Sequence, residues 1–343
     1  MSRIYLLTGG AGFIGSNYVF RLLQRGEKVI VYDNLSRPGA EKNVDWLRKE
    51  FGEESFQLIV GDVRDADAVE DAARDADVVV HLAAQVAVTT SVLEPREDFE
   101  INALGTFNVL EAARASQKKP AFLYASTNKV YGGMEEIRVV EEDATYRYAD
   151  YPFGLSEEIP LDFHSPYGCS KGSGDQYVRD YSRLYDLPTV VMRQSCIYGP
   201  RQFGVEDQGW VAWFMIAVVT GREITIYGDG KQMRDILYID DLLDVYDISL
   251  ENIKVCAGQI YNIGGGPENT MSIWKEFQPQ IEKLVGHPIA VSYDDWRPGD
   301  QRVYVSDIRK AENDLNWRPK IGVEEGIKKL FSWISENRSL FGN

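Results

Sequence analysis

The sequence predicts an α/β fold, a Rossmann-type doubly wound parallel sheet followed by a smaller C-terminal lobe. Three observations carry that expectation. Strand-length apolar runs alternate with helical periodicity through the first 190 residues. The runs are almost continuously Val, Ile and Leu, as strands covered on both faces require. A glycine-rich turn joins the first run to the first helix.

In chain order, RIYLLTG (3–9), KVIVYD (28–33), FQLIVGD (56–62), DVVVHLA (77–83), AFLYAS (121–126) and TVVMR (189–193) read as strands. Between them, IGSNYVFRLLQRG (14–26) and INALGTFNVLEAARAS (101–116) carry helical periodicity. Beyond residue 193 the rhythm breaks into shorter elements and the loops YGPRQFG, YGDGKQMRD, NIGGGP and WRPGDQR. The helix DDLLDVYDISLEN (240–252) and the strand IYNIG (260–264) are expected to return to the sheet. The expected domains are 1–193 plus about 236–266 around the sheet, and about 194–235 plus 267–343 as a substrate-binding lobe. The longest apolar run, VAWFMIAVV (211–219), is too short to span a bilayer and reads as a buried helix.

At 343 residues the chain can hold two domains. Its 37 Lys and Arg against 53 Asp and Glu leave a formal charge of −16, a field that repels nucleic acid and anionic membranes. An anionic ligand therefore needs its own patch of Arg or Lys. Cys169, Cys196 and Cys256 show no CxxC spacing, which argues against a disulfide scaffold and suits a reducing, cytoplasmic location. His81, His164 and His287 are far apart and outside any HExxH, so no metal site is expected. MSRIYLLTGG enters a strand at once, without a signal-peptide pattern.

In TGGAGFIG (8–15), Gly9, Gly12 and Gly15 satisfy GxxGxxG, and Gly10, Gly12 and Gly15 satisfy GxGxxG. Glycines there allow a tight turn, close approach of backbone N–H groups to a pyrophosphate, and tight helix–strand packing. Asp33 ends the second strand about 20 residues on, where a carboxylate accepts from the adenosine ribose and repels a 2′-phosphate. That favours NAD over NADP, although Arg37 nearby weakens the exclusion. GDVRD (61–65) sets Asp62 and Val63 beside the adenine; Arg64 and Asp65 read equally as an ordinary turn with Asp65 as N-cap. HLAAQVA (81–87) lays Leu82, Ala83, Ala84 and Gln85 along the cofactor's path, with His81 a satisfied strand-end histidine.

SPYGCSKG (165–172) carries Tyr167 and Lys171 four apart, on one face of a helix that Ser165 can cap. A phenol of pKa ~10 is a poor base at neutral pH. A neighbouring ammonium, a cationic nicotinamide and the helix N-terminus would each favour phenolate.

Together with ASTNKVYG (125–132) and RQSCIYGP (193–200), these motifs resemble the extended short-chain dehydrogenase/reductase superfamily over essentially the whole chain. The resemblance implies Tyr167 as base, Lys171 on the nicotinamide ribose and Thr127 on the reacting hydroxyl. It also implies cofactor contacts from Phe13, Ile14, Asn34, Ser36 and Asn102. Sugar-nucleotide 4,6-dehydratases of this superfamily follow the Thr with Asp and Glu. Here Asn128 and Lys129 stand instead, so the carboxyl acid/base pair for eliminating water is missing.

DNLSRPGAEKNVDWL (33–47), QVAVTTS (85–91), DFHSPYGCSKG (162–172), RQFGVEDQGWVAWF (201–214), GDGKQMRD (228–235) and DQRVYVSDI (300–308) resemble a narrower group, the CDP-paratose (CDP-tyvelose) 2-epimerases. That implies a CDP-linked sugar substrate, with a UDP-sugar 4-epimerase as alternative and a non-catalytic NAD-binding sensor behind it. By the same resemblance, Arg234 and Arg297 contact the pyrophosphate, Asp300 sits near a ribose hydroxyl, and Gln208, Gly209 and Trp210 shape the base pocket beside Gln232. Arg201 reads equally as a ligand contact and a solvated residue. Trp210, Trp213 and Phe214 are more often core. Thr89, Thr90 and His164 are candidate sugar contacts. Cys196 replaces the Asn usual in 4-epimerases and 4,6-dehydratases, which removes a phosphate- or sugar-binding amide. The superfamily also implies a homodimer or homotetramer pairing helices near 101–116 and 167–185.

Overall fold

The computed structural model describes residues 2–297 and 300–342, so Pro298 and Gly299 of WRPGDQR lie outside it. Contacts divide the chain into two compact units: Met1–Val130 with Ser165–Arg193 and Leu243–Tyr261, and Tyr131–His164 with Gln194–Leu242 and Asn262–Asn343.

The first unit is built on a seven-stranded sheet: β1 (Ile4–Thr8), β2 (Lys28–Asp33), β3 (Gln57–Val60), β4 (Val78–His81), β5 (Ala121–Thr127), β6 (Thr189–Gln194) and β7 (Gln259–Ile263). Its order is β7-β6-β5-β4-β1-β2-β3. The pairs β1–β2, β2–β3, β1–β4 and β4–β5 are parallel. Every apolar run read as a strand is found here. Helices α1 (Phe13–Gln24), α2 (Ala40–Phe51) and α3 (Ala66–Ala73) follow the first three strands. β4 is buried throughout, as its unbroken valines require. β3 departs from expectation: as the edge strand it leaves Val60 exposed. Leu6, Val79, Val109, Phe122, Val178 and Val191 pack between sheet and helices.

The 101–116 helix begins differently from the sequence reading. After α4 (Val88–Leu93) and α5 (Pro95–Phe99) comes a π-turn over Glu100–Leu104, and only then α6 (Gly105–Ala115). A Cβ on Gly105 would lie 2.6 Å from the Val63 side chain, so the glycine lets this helix close on the β3–α3 turn. The chain returns through α7 (Ser165–Tyr185) before β6.

The second unit is made of small sheets. Met233–Asp235 lies between Thr270–Ser272 and Val303–Tyr304, Thr225–Tyr227 pairs with Ser292–Asp294, and Val139–Glu141 forms a hairpin with Tyr146–Tyr148. α8 (Trp210–Thr220) carries the VAWFMIAVV run, its Phe214 ring 5.3 Å from that of Trp274. Residues 131–164 belong here and not with the sheet domain, as do 236–242 and, from the end of β7 onward, 262–266. Hydrogen bonds explain the first: Tyr131 Oη donates to Asn262 (2.7 Å), Tyr148 Oη to the Val303 carbonyl (2.9 Å), and Leu155 N to Val305 (2.8 Å). For the second, Leu237–Tyr238 pairs with Ile197–Tyr198. Among the described residues no helix is long and apolar enough to cross a membrane.

Candidate active site

β1 sits between β2 and β4, so the strand order reverses there and opens a crevice at their carboxyl ends. Gly9 enters it with φ +71°, and a Cβ there would stand 2.6 Å from Ala83 N. A Cβ on Gly15 would meet the Gly9 carbonyl at 2.4 Å. Only glycines let α1 come this close to the strand ends. Gly12 caps α1 with no side-chain hydrogen bond, and the first turn, from Phe13 and Ile14, holds no acidic residue. Those N–H groups and the positive end of the helix suit a phosphate.

Asp33, nearly buried, accepts from Ala11 N (2.9 Å) and Leu35 N (2.8 Å), tying the glycine turn to the end of β2. Burial raises its pKa, and those two backbone bonds oppose the rise. Beside it opens a cleft. Asp33, Asn34, Ser36 and Arg37 line one side, Asp62 and Val63 another, and Ala83 and Ala84 a third. All eight were read from the sequence; Tyr32, Gly61 and Ile101 were not. The donor set fits an adenine dinucleotide: a carboxylate for ribose hydroxyls, an apolar wall for a base, and a helix N-terminus for phosphates. Asp62 is held at about 2, mainly by its hydrogen bonds from Arg64 (Nε 2.9 Å, Nη2 2.8 Å). Asp65 does cap α3, accepting from Ala68 N.

Gln85 and Asn102 spend their side chains within the protein. Gln85 Nε2 donates to the Ala87 carbonyl and to Asp98, while its Oε1 accepts from Ala87 N. Asn102 exchanges bonds with the Gln85 backbone, Oδ1 accepting at 2.9 Å and Nδ2 donating at 3.0 Å. Sequence reasoning could not see this, because the π-turn that aims Asn102 inward has no simple periodicity.

Thr127, Tyr167 and Lys171 come together where β5 ends beside α7, all three nearly buried. Ser165 takes the strained φ of +73°, and its Oγ accepts from Gly168 N (3.2 Å), which starts the helix. Lys171 Nζ donates to the Ala125 carbonyl (2.7 Å) and stands 4.2 Å from the centre of the Tyr124 ring. Burial drives its pKa down to about 7, opposed by Asp175 and Asp98. In the protein alone, burial pushes Tyr167 up to about 12, and its hydrogen bond with Thr127 only partly offsets this. The Asp98 charge raises it further. Thr127 Oγ1 also donates to Asn128 Oδ1 (3.3 Å) and accepts from Lys129 N (3.2 Å).

His81 contacts Thr8 (2.6 Å) and Thr106 (3.0 Å) through its two ring nitrogens, and burial lowers its pKa to about 3. It is neutral and satisfied, as read. Sequence reasoning missed Asp175. This fully buried carboxylate takes a two-pronged pair from Arg193 (both 2.9 Å) and a bond from Ser126 (2.7 Å), the neighbour of Thr127.

In the second unit, Arg234 is buried and paired with Asp300 (2.8 Å). Gln232 donates to the Tyr227 carbonyl (2.7 Å) and to Asp300 (3.4 Å). Arg297 pairs with Asp207 (2.9 Å) and stacks 3.8 Å from the centre of the Tyr227 ring. Gly209 has φ +73° and leads into α8, Gln208 bonds its backbone to Val205, and Trp210 packs 5.2 Å from Phe277. Arg201 (φ +67°) stacks on Trp333. Cys196 is half-buried, whereas Thr89, Thr90 and His164 are exposed.

Comparison with known proteins agrees with this geometry. The family model described as GDP-mannose 4,6 dehydratase matches residues 6–330. A CDP-paratose 2-epimerase of Salmonella typhi is 42% identical over 96% of this chain and 98% of its own. A putative UDP-glucose 4-epimerase of Methanocaldococcus jannaschii is 34% identical over 97% of this chain and 98% of its own. The crystal structure of DesIV, a dTDP-glucose 4,6-dehydratase from Streptomyces venezuelae with NAD bound, superposes with TM-score 0.83 at 28% identity, covering 99% of each chain. The chain belongs to the GDP-mannose 4,6 dehydratase family, among the extended short-chain dehydrogenases/reductases.

Proposed function

We propose that this chain is an NAD-dependent nucleotide-sugar epimerase that inverts C2 of a CDP-linked sugar of the paratose/tyvelose type through a transient 2-keto sugar. The observation that carries the reading is the meeting of Thr127, Tyr167 and Lys171 in the unit that holds the dinucleotide cradle, with Asn128 and Lys129 where a dehydratase needs carboxyl groups. The 42% identity to a CDP-paratose 2-epimerase supports the choice of carbon and nucleotide.

Gly9, Gly12, Gly15, Asp33 and the α1 N-terminus would hold the cofactor, and Asp33 favours NAD by disfavouring a 2′-phosphate. When bound, NAD⁺ supplies a hydride acceptor that later returns what it took, and its positive ring favours phenolate. Thr127 orients the reacting hydroxyl and Tyr167 takes its proton. After the keto-sugar turns over, the same phenol returns a proton to the new hydroxyl. Lys171, poised near neutrality, buffers the charge at the phenol. A two-faced attack requires the nucleotide to be held while the sugar rotates. Arg234 and Arg297 suit that grip, since a guanidinium fork engages phosphate oxygens bidentately.

We further propose a homodimer or homotetramer pairing α6 and α7, whose Phe107, Tyr177 and Leu184 side chains are exposed. Light scattering tests it: a monomer at micromolar concentration would refute it. For the reaction, a CDP-linked 3,6-dideoxyhexose deuterated at C2 should emerge inverted at C2 with label retained. Inversion at C4 would favour the 4-epimerase reading, and label lost to solvent would exclude both.

A further inference from the structure

A buried carboxylate under the catalytic helix has no part in the reaction just described. Asp98, on α5, is only 1% exposed. Its Oδ2 accepts from Ser170 Oγ on α7 at 2.5 Å, and its Oδ1 accepts from Gln85 Nε2 (2.9 Å) and Asn102 Nδ2 (3.0 Å). Ser170 lies between Tyr167 and Lys171. Gln85 follows Ala83 and Ala84 of the cofactor cleft. Asn102 reaches the carboxylate from the π-turn, a distortion that recurs at functional sites. Among the described residues no cation hydrogen-bonds Asp98. Burial raises the Asp98 pKa, opposed by the bonds from Ser170 and Gln85, by the Lys171 charge and by Asn102, and an Asn or an apolar group would fill the space more cheaply.

The groups facing Lys171 show which charge matters. From β4 comes His81, neutral; from β5, the Tyr124 ring; from α7, Tyr167 and Asp175, the latter neutralised by Arg193 on β6. Asp175 raises the Lys171 pKa most and Asp98, from α5, next, while Asp98 is also the charge that raises Tyr167.

Given the reading of Tyr167 as acid–base, we propose that Asp98 is a positioning residue. It bolts α7 to the cofactor loop through Ser170, Asn102 and Gln85, and its negative charge sets the balance of protons between Tyr167 and Lys171. A negative charge favours the protonated form of both groups, so removing it should lower both titrations together.

The test is Asp98→Asn in NAD⁺-loaded protein carrying ¹³C-labelled tyrosine, with the Tyr167 resonance assigned by its loss in Tyr167→Phe. The Tyr167 midpoint should move down by about half to one pH unit. The two limbs of the kcat–pH profile should move acidward with it. A midpoint unchanged from the parent, with only the height of the profile altered, would overturn the charge role. Ser170→Ala keeps the carboxylate and cuts the bolt, so it covers the case in which Asp98→Asn fails to fold. It should lower kcat about tenfold at unchanged KM, as loss of a hydrogen bond to a charged group implies; parental kcat would overturn the positioning role. A shifted Tyr167 in a protein that does not turn over CDP-sugar would sink the substrate reading and leave this one standing.

Discussion

Lys171→Met should stabilise the ligand-free protein near neutral pH, and the gain should shrink as pH rises. The native ammonium is nearly buried and titrates near 7, against 10.5 when exposed. That gap corresponds to roughly 5 kcal/mol. Below the native value both states carry the proton and the full cost of burial applies. Between 7 and 10.5 the native lysine is already neutral while the unfolded one is still charged, so the parent gains about 1.4 kcal/mol per pH unit. Methionine forfeits the bond to Ala125 and the contact with the Tyr124 ring. Those losses amount to about 2–4 kcal/mol and cut the net gain at pH 6.5 to about 1–3 kcal/mol. The slope is the firmer quantity. The stability difference between variant and parent should fall by about 2 kcal/mol between pH 7 and pH 9. Denaturant unfolding of both proteins across that range, read by tyrosine and tryptophan fluorescence, measures it. A difference independent of pH, or one that grows with pH, would show that Lys171 is not a charge held against desolvation.

Arg193→Met removes the two-pronged partner of the buried Asp175 carboxylate and leaves it the hydrogen bonds from Ser126 and Gln176, so it should cost about 3–5 kcal/mol. A melting temperature within 2 °C of the parent would contradict the pairing. Tyr167→Phe should lower kcat by about 10²–10⁴ while NAD affinity, measured by calorimetry, stays near the parent value. In the second unit Arg297 is held by Asp207, which must yield if the guanidinium is to grip a diphosphate. Asp207→Asn should therefore tighten CDP binding several-fold, and weaker binding would show instead that Asp207 presents Arg297 to the ligand.

Much of the first unit was legible because its signals are local. Seven apolar runs gave seven strands, and the glycine turn with Asp33 located the cleft, since each glycine answers to a backbone approach a Cβ would block. The YxxxK spacing placed Tyr167 and Lys171 because a helix fixes what lies four residues on. What stayed hidden depends on distant pairing. Asp98 and Asp175 look like ordinary surface acids until α5, the π-turn and β6 bring them Ser170, Asn102 and Arg193. Residues 131–164 read as part of the sheet domain because nothing local announces that Tyr148 and Leu155 bond to 303–305. The phenol's raised pKa in the protein alone was hidden for the same reason, since burial is a property of the packed molecule and not of the motif.

Quenching the enzyme in mid-turnover with borodeuteride, and locating the deuterium by mass spectrometry of the released sugar, tests the central claim most directly. A 2-keto sugar formed by proton loss to Tyr167 should be trapped with deuterium at C2, and Tyr167→Phe should trap almost none. Deuterium at C4, or trapping undiminished in the variant, would contradict the account.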